Sequence, residues 1–314
     1  MKTRILLSTL VLAGVAWLGS PSTAFASEGV VLNPSALRAP DRASLADQIA
    51  KARASNPTVF ANVAKLRTDL PRLDAQKRGR FVPVARLLRG LGRDALLPML
   101  EELAVNAPAR GSMTDSTWTA WRVGLVESVG SLRDSRSAPV LIAILESPHT
   151  DFMLIRAAAA AYGKLGTDRA AQDLIRLSRT KGPKQRAILA GMGHCRRIAV
   201  ASELARVLSS RPDPATAVRV ARSLGDLGSA WAWQTSSLAG NKEGPAVRSV
   251  AAQALMDAFV NDDGEVREMA TKALLVVNDP STPGLISAAR SRAGADLLPA
   301  LDRLERQFAN SPIR

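Results

Sequence analysis

Cysteine occurs once in 314 residues, as Cys195, and histidine twice, as His149 and His194. A single thiol excludes any intramolecular disulfide, so packing alone must hold the chain even in an oxidising compartment. The two histidines have no His-Glu-x-x-His pattern and no clustered carboxylates around them, so they do not assemble a zinc site. Aromatic residues make up only 4% of the chain, which makes any core aliphatic. Beyond residue 26 no window of about 18 consecutive apolar residues occurs, leaving no candidate for a spanning helix. No segment reads as a strand. A Gly-x-x-x-x-Gly-Lys phosphate loop, a Gly-x-Ser-x-Gly elbow and the spaced ligands of a calcium hand are also missing; the acidic run NDDGE at 261–265 reads as a turn.

What is present starts with MKTRILLSTLVLAGVAWLGSPSTAFA: Lys2 and Arg4, an apolar stretch over 5–18, then Ala24-Phe25-Ala26. This is the order of a secretory signal, too short and too early to be a spanning helix. It predicts cleavage near Ala26, a mature chain from Ser27, and an exported product, periplasmic or extracellular. No cysteine stands near the cleavage site, so no lipid anchor of the bacterial lipoprotein kind is expected. The remaining length exceeds one ordinary globular core and points to several domains or an elongated array.

The formal net charge is +14, and 33 of the 42 basic residues are arginine. Such a chain can gather nucleic acid, anionic headgroups or acidic partners. Basic residues rarely run longer than two or three, so the excess reads as charge dispersed over solvated helix faces. The export signal argues against specific nucleic-acid recognition.

A helical grammar recurs along the chain. In RAAAAAYGKLGTDRAAQDLIRL at 156–177 a helix-forming run, a tight turn and a second run follow one another, and similar arrangements occur at 121–146, 185–208 and 218–240. The arginines that open successive runs are Arg122, Arg156, Arg186, Arg219, Arg248 and Arg267, at intervals of 34, 30, 33, 29 and 19 residues. The first four intervals fit a repeated helical hairpin; the short last one suggests that 247–260 and 266–277 pair as the two helices of one unit. Alanine, leucine and arginine favour helix, apolar positions fall at three- and four-residue steps, and prolines sit at the joints. Glycines after a first helix suit a left-handed residue at its end. The five alanines at 157–161 would let neighbouring backbones approach closely.

The fold expected is therefore all-α, an α-solenoid of stacked helical hairpins. Its divisions are a signal over 1–26, a loose leader over 27–42, divergent helical units or a cap over 43–105 with a break at Asn56-Pro57, a linker or loop over 106–117, the repeat array over 118–309 and a short tail over 310–314.

At VREMATKALL, VRSVAAQAL and RAAAAAYGKLGTDRAAQDLIRL the chain resembles the HEAT-repeat superfamily, especially the short HEAT-like repeats of bacterial proteins. Their pattern is Val-Arg, an alanine pair, a Leu-Gly step and a second amphipathic helix. The resemblance covers about 118–290 and, more weakly, 43–105 and 291–309. It implies a fold and says little about chemistry. It also implies that an acidic residue before each arginine caps the helix and links adjacent units. Asp151, Asp213, Glu243 and Asp262 stand five or six positions before Arg156, Arg219, Arg248 and Arg267; Arg186 lacks such a residue.

No catalytic constellation emerges, and no cofactor or metal is expected. His194 and Cys195 are adjacent in sequence but diverge on a helix, and no third residue orients them. Ser178-Arg179-Thr180-Lys181 matches a Ser-x-x-Lys pattern without its companion elements and falls at a helix end. Trp118 and Trp121 share a face and read as core. Trp231 and Trp233, two apart, cannot both point into one seam, so one is a candidate anchor for a partner. Lys181, Lys184, Arg186, Arg196 and Arg197, with Lys77, Arg78 and Arg80, are the candidate basic contacts. The expected function is an exported, non-catalytic scaffold that binds another protein. The alternative is a basic surface for acidic polymer or anionic envelope lipid. A third reading follows from the resemblance alone: HEAT-like families include a lyase that attaches bilins and a glycosylase that excises alkylated bases, and the export signal argues against both.

Overall fold

The computed structural model describes residues 28–76, 82–238 and 240–311. The expected secretory signal with Ala26, and the basic group Lys77-Arg78-Arg80, lie outside the described residues. Every regular element described is helical. The first two are α1 (Ala39–Ser55) and α2 (Pro57–Ala75), separated at Asn56 because Pro57 fits the first turn of a new helix. There follow α3 (Val84–Arg89), α4 (Leu96–Ala104), α5 (Asp115–Leu132) and α6 (Ala138–Glu146). The middle of the chain forms α7 (Phe152–Gly163), α8 (Asp168–Arg179), α9 (Gln185–Gly191) with a 3-10 turn at Met192–His194, and α10 (Ile198–Ser209). The last third forms α11 (Pro214–Gly228), the one-turn α12 (Ala230–Trp233), α13 (Gly244–Asn261), α14 (Gly264–Val277), α15 (Thr282–Arg290) and α16 (Leu298–Ala309).

These helices pack in series as two rows. The first row is α3, α5, α7, α9, α11 and α14, each against the next; α4, α6, α8, α10, α13 and α15 form the second. The result is an all-α, solenoid-like stack. One hydrophobic cluster runs through it from Val30 to Leu304, so the amino-terminal helices continue the array.

Four sequence expectations change. First, α13 and α14 do touch, but α13 lies beside α10 and α15 and is the second helix of the α11 unit, while α14 packs on α11 and opens the next. Arginine spacing misleads here because α12 and a 3-10 turn at Ser236–Leu238 are inserted before α13, moving Arg248 a full repeat away from Arg219.

Second, the leader is not loose over its described part. Val30, Val31, Leu32 and Leu37 are buried. The amide of Val30 donates to Glu102 O at 2.7 Å and that of Leu32 to Leu103 O at 3.0 Å, at the open carboxyl end of α4. His149 Nε2 lies 2.6 Å from Val31 O. Three consecutive apolar residues bind this strap down. The loop after α4 is held in the same way, by Arg67, which pairs with Glu102 at 2.7 Å and donates to Ala109 O at 2.9 Å.

Third, most of the glycines are not helix terminators. Gly166 does adopt φ +70° in the turn after α7. Gly130 and Gly191 instead sit where α5 and α9 meet α7: a Cβ on Gly130 would collide with Ala161, and one on Gly191 would fall 2.7 Å from Ala159 Cβ. Alanine against glycine brings these helices to backbone contact, which is why 157–161 carries no large side chain.

Fourth, the acidic residues divide: Asp151 and Asp213 cap their helices, whereas Glu243 makes no side-chain cap and pairs with Arg197 at 3.0 Å. Asp151 and Asp213 accept from the amides of Leu154 and Thr216 at 3.0 and 3.1 Å. No ion pair joins either to Arg156 or Arg219 among the described residues; their charges act on Arg122 of α5 and Arg186 of α9, the preceding first-row helices, without a contact within 4.0 Å. The rungs between units run through helix ends instead: Arg133 donates to Lys164 O at 3.0 Å, Arg197 to Gly166 O at 3.4 Å and Arg248 to Val277 O at 3.2 Å. Unpaired carbonyls at a helix carboxyl end carry partial negative charge, and a long guanidinium reaches them across the seam.

Candidate functional site

The inserted α12 gives the array its most exposed large apolar side chain. Gly228 closes α11 tightly against Val277 and Ala251, and Ser229 then caps the AWAW turn by accepting from Ala232 N at 3.4 Å. Trp233 turns inward: its indole N–H donates to Leu227 O at 2.9 Å, and its ring lies against Gly244, where a Cβ would come within 2.9 Å. Trp231, two positions earlier, faces outward and is 60% exposed. The sequence left open which tryptophan is free; the indole hydrogen bond of Trp233 decides it.

Trp231 stands at the edge of a groove of about 690 Å³ between α12, α14 and α16. Leu275 and Val276 form its apolar floor with the Trp231 ring, and Arg303, Arg306 and Gln307 of α16 form the opposite rim. Val276 is itself exposed. Neither Arg303 nor Arg306 has a carboxylate within 4.0 Å among the described residues, whereas Arg290 on α15 is held by Asp302 and Glu305 at 2.8 and 2.6 Å. The groove therefore joins an aromatic surface to two uncommitted guanidinium groups. A larger opening of about 800 Å³ between α10 and α13 is lined mainly by small and polar side chains, and its Arg206 is committed to Glu203.

Of the five basic candidates described, three are engaged within the fold. Lys184 Nζ donates to Leu145 O and Ser147 O at 2.6 and 2.7 Å, closing the end of α6. Arg196 is 8% exposed, and its guanidinium donates to Asp226 O at 3.1 Å. Arg197 is held between Asp168 and Glu243, the latter at 3.0 Å. Lys181 and Arg186 are exposed, with no side-chain hydrogen bond or ion pair among the described residues.

The other residues with chemical potential are structural. Trp121 is fully buried and Trp118 packs on the core. Cys195 is buried and its thiol is pushed up to about 12 by that burial, which removes the nucleophilic thiolate at neutral pH. His194 is pushed down to about 3 by burial and by the surrounding cations Lys164, Arg196, Arg156 and Arg133, so both neighbours are uncharged. Among the described residues no group of three or more His, Cys, Asp or Glu side chains is placed to hold a metal ion, and no helix is long and apolar enough to cross a membrane. Comparison with protein-family models and with curated proteins gives no match.

Proposed function

We propose that this chain is an exported, non-catalytic helical scaffold of the HEAT-like kind, which docks a partner protein in the groove at Trp231. The observation that carries this reading is the exposed Trp231 ring beside Val276, facing two guanidinium groups without carboxylate partners. Tryptophan and arginine dominate the energetics of protein interfaces, and a large apolar group left in water is maintained against a hydration penalty. The chemistry selects a partner segment with an apolar anchor flanked by carboxylates, since Arg303 and Arg306 rim the floor. Export follows from the leader, and the absence of a catalytic constellation in the sequence supports a binding role.

The experiment is site-specific photo-crosslinking from the exposed face of α16 at Gln307, in the full exported chain, followed by mass spectrometry. A single partner crosslinked through an acidic segment, and lost on Trp231→Ala and on Arg303→Glu with Arg306→Glu, is the expected outcome. Crosslinks unchanged by both variants would overturn the reading. A diffuse basic surface for acidic polymer or anionic lipid draws less support, because Lys184, Arg196 and Arg197 are already bonded within the fold.

A further inference from the structure

A second opening lies on the first row, far along the array from Trp231 in sequence. It measures about 250 Å³ and is lined by residues at four-residue steps on three successive helices: Ala85 and Arg89 on α3, Glu127 and Ser131 on α5, and Arg156 with Ala160 and Lys164 along α7. The 3-10 turn after α9 closes it with His194. Four-residue spacing puts each set on one face of its helix, so the cationic heads converge over a floor of alanine methyl groups.

These cations differ from the arginines at the seams. Arg133, Arg197 and Arg248 are bonded to helix-end carbonyls, as described above. Arg156 and Lys164 have no hydrogen bond from their charged heads and no carboxylate within 4.0 Å among the described residues. Arg89 bonds only its own helix, Nε to Ala85 O at 3.1 Å, which leaves both terminal nitrogens free. Lys164 is half-buried, and burial pushes its ammonium down, opposed by Glu127 and reinforced by Arg133, Arg196 and Arg89. A partly desolvated cation without a bonded counter-charge is costly; the fold places Arg156 and Lys164 so, with Arg89 exposed at the rim.

We propose that this pocket binds a dianionic phosphomonoester through Arg89, Arg156 and Lys164. Three cations against the single lining carboxylate of Glu127 leave an excess of two positive charges, which matches a phosphomonoester at neutral pH. Beyond the lining, Arg133 and Arg196 outnumber Asp226, so the surrounding field has the same sign. A phosphoryl group offers three equivalent oxygens to two planar guanidinium forks and one ammonium, whereas a carboxylate offers two oxygens and half the charge. The volume, room for roughly eight waters, exceeds a bare phosphate and leaves space for the esterified group on the exposed Arg89 side. His194, uncharged, adds a neutral ring edge. This site does not depend on the groove at Trp231.

The test uses the full chain at low salt. Glycerol 3-phosphate and inorganic phosphate are titrated by calorimetry, and co-sedimentation is measured with phosphatidylcholine vesicles with and without phosphatidic acid. Saturable one-to-one binding of glycerol 3-phosphate is expected. Arg156→Gln and Lys164→Gln should each weaken it about tenfold or more, the scale of one lost charge-assisted hydrogen bond. Glu127→Gln should tighten it, while Lys181→Gln and Trp231→Ala should leave it unchanged. Circular dichroism melts show whether each variant is folded, and Arg156→Lys gives a partial rescue that a folding defect would not. Co-sedimentation that requires phosphatidic acid and Arg156 assigns the phosphate to a lipid headgroup; binding of the soluble ester alone assigns a soluble one. Absence of saturable binding to either probe at millimolar concentration, or binding equal in the Arg156 and Lys164 variants, refutes the site.

Discussion

Where α5 meets α7, Gly130 lies against Ala161 so closely that a Cβ would have no space. Where α8 meets α10, the Glu203 carboxylate is gripped by Arg179 and Arg206, each at 2.7 Å. The two rows thus stack successive helices by different means. The first-row helices α5, α7 and α9 touch backbone to backbone through glycine and alanine, at Gly130 and Gly191. Second-row helices are joined by ion pairs, Glu146 with Arg176 at 2.6 Å and Glu203 with Arg179. The contrast also sorts the cations: those at the seams are bonded, and those on the open face of the first row are not.

The largest effect should come from filling a first-row seam. Gly130→Val puts three carbons where Ala161 stands and forces α5 and α7 apart, a loss of about 3 kcal/mol read as a lower urea midpoint. Because no charge is involved, the deficit relative to the parent chain should be the same at pH 7 and pH 4. A variant as stable as the parent would show that the seam is loosely packed and would remove the account given for the alanine run.

The second row should respond to acid instead. Burial of the Glu203 carboxylate raises its pKa, but hydrogen bonds and charge from Arg206 and Arg179 outweigh this and hold it at about 2, against an ordinary 4.5. A depressed folded value means the stabilisation is complete above about pH 4.5 and is lost as pH falls toward 2. Since both arginines are more than half exposed, screening reduces the contribution to about 2 kcal/mol. Glu203→Gln should lower stability by that amount at pH 7 and flatten the decline between pH 4.5 and 2.5. An unchanged acid slope would mean that the α8–α10 contact rests on packing.

A smaller loss is expected at the caps. Asp151→Ala removes the acceptor for Leu154 N at the start of α7 and should cost about 1 kcal/mol. Asp151→Asn should restore most of it, because an amide oxygen still caps; rescue absent from that variant would return the charge of Asp151 to the role the acidic ladder had assigned it.

How far the sequence leads depends on which interaction decides each feature. Helical periodicity, proline at joints and small-residue runs are local, and they anticipate the two-row, all-helical stack and the break at Asn56-Pro57. Partner choice by long side chains is not local. Nothing in the spacing of Arg248 distinguishes a unit-opening arginine from one reaching Val277 O, because the insertion of α12 gives the second-row helix α13 the arginine interval of a first-row helix. The strap at 28–37 was hidden for the same reason: Val30-Val31-Leu32 has no helical period, and its acceptors are carbonyls seventy residues away. The Arg156–Ala160–Lys164 face was legible as four-residue spacing, but its meaning required knowing that α3, α5 and the His194 turn converge on it.

The smallest stability effect should be at Trp231. Its ring is mostly in water and holds no seam, so Trp231→Ala should change the urea midpoint by less than about 0.5 kcal/mol. Trp233→Ala should cost more, because it removes the indole bond to Leu227 O and the ring that covers Gly244. Near-equal penalties for the two would place Trp231 in the packing of α12 and leave the groove without its anchor. If the expected asymmetry holds, the two tryptophans separate cleanly: Trp233 secures the insertion, and Trp231 is free of packing and open to the docking role proposed for it.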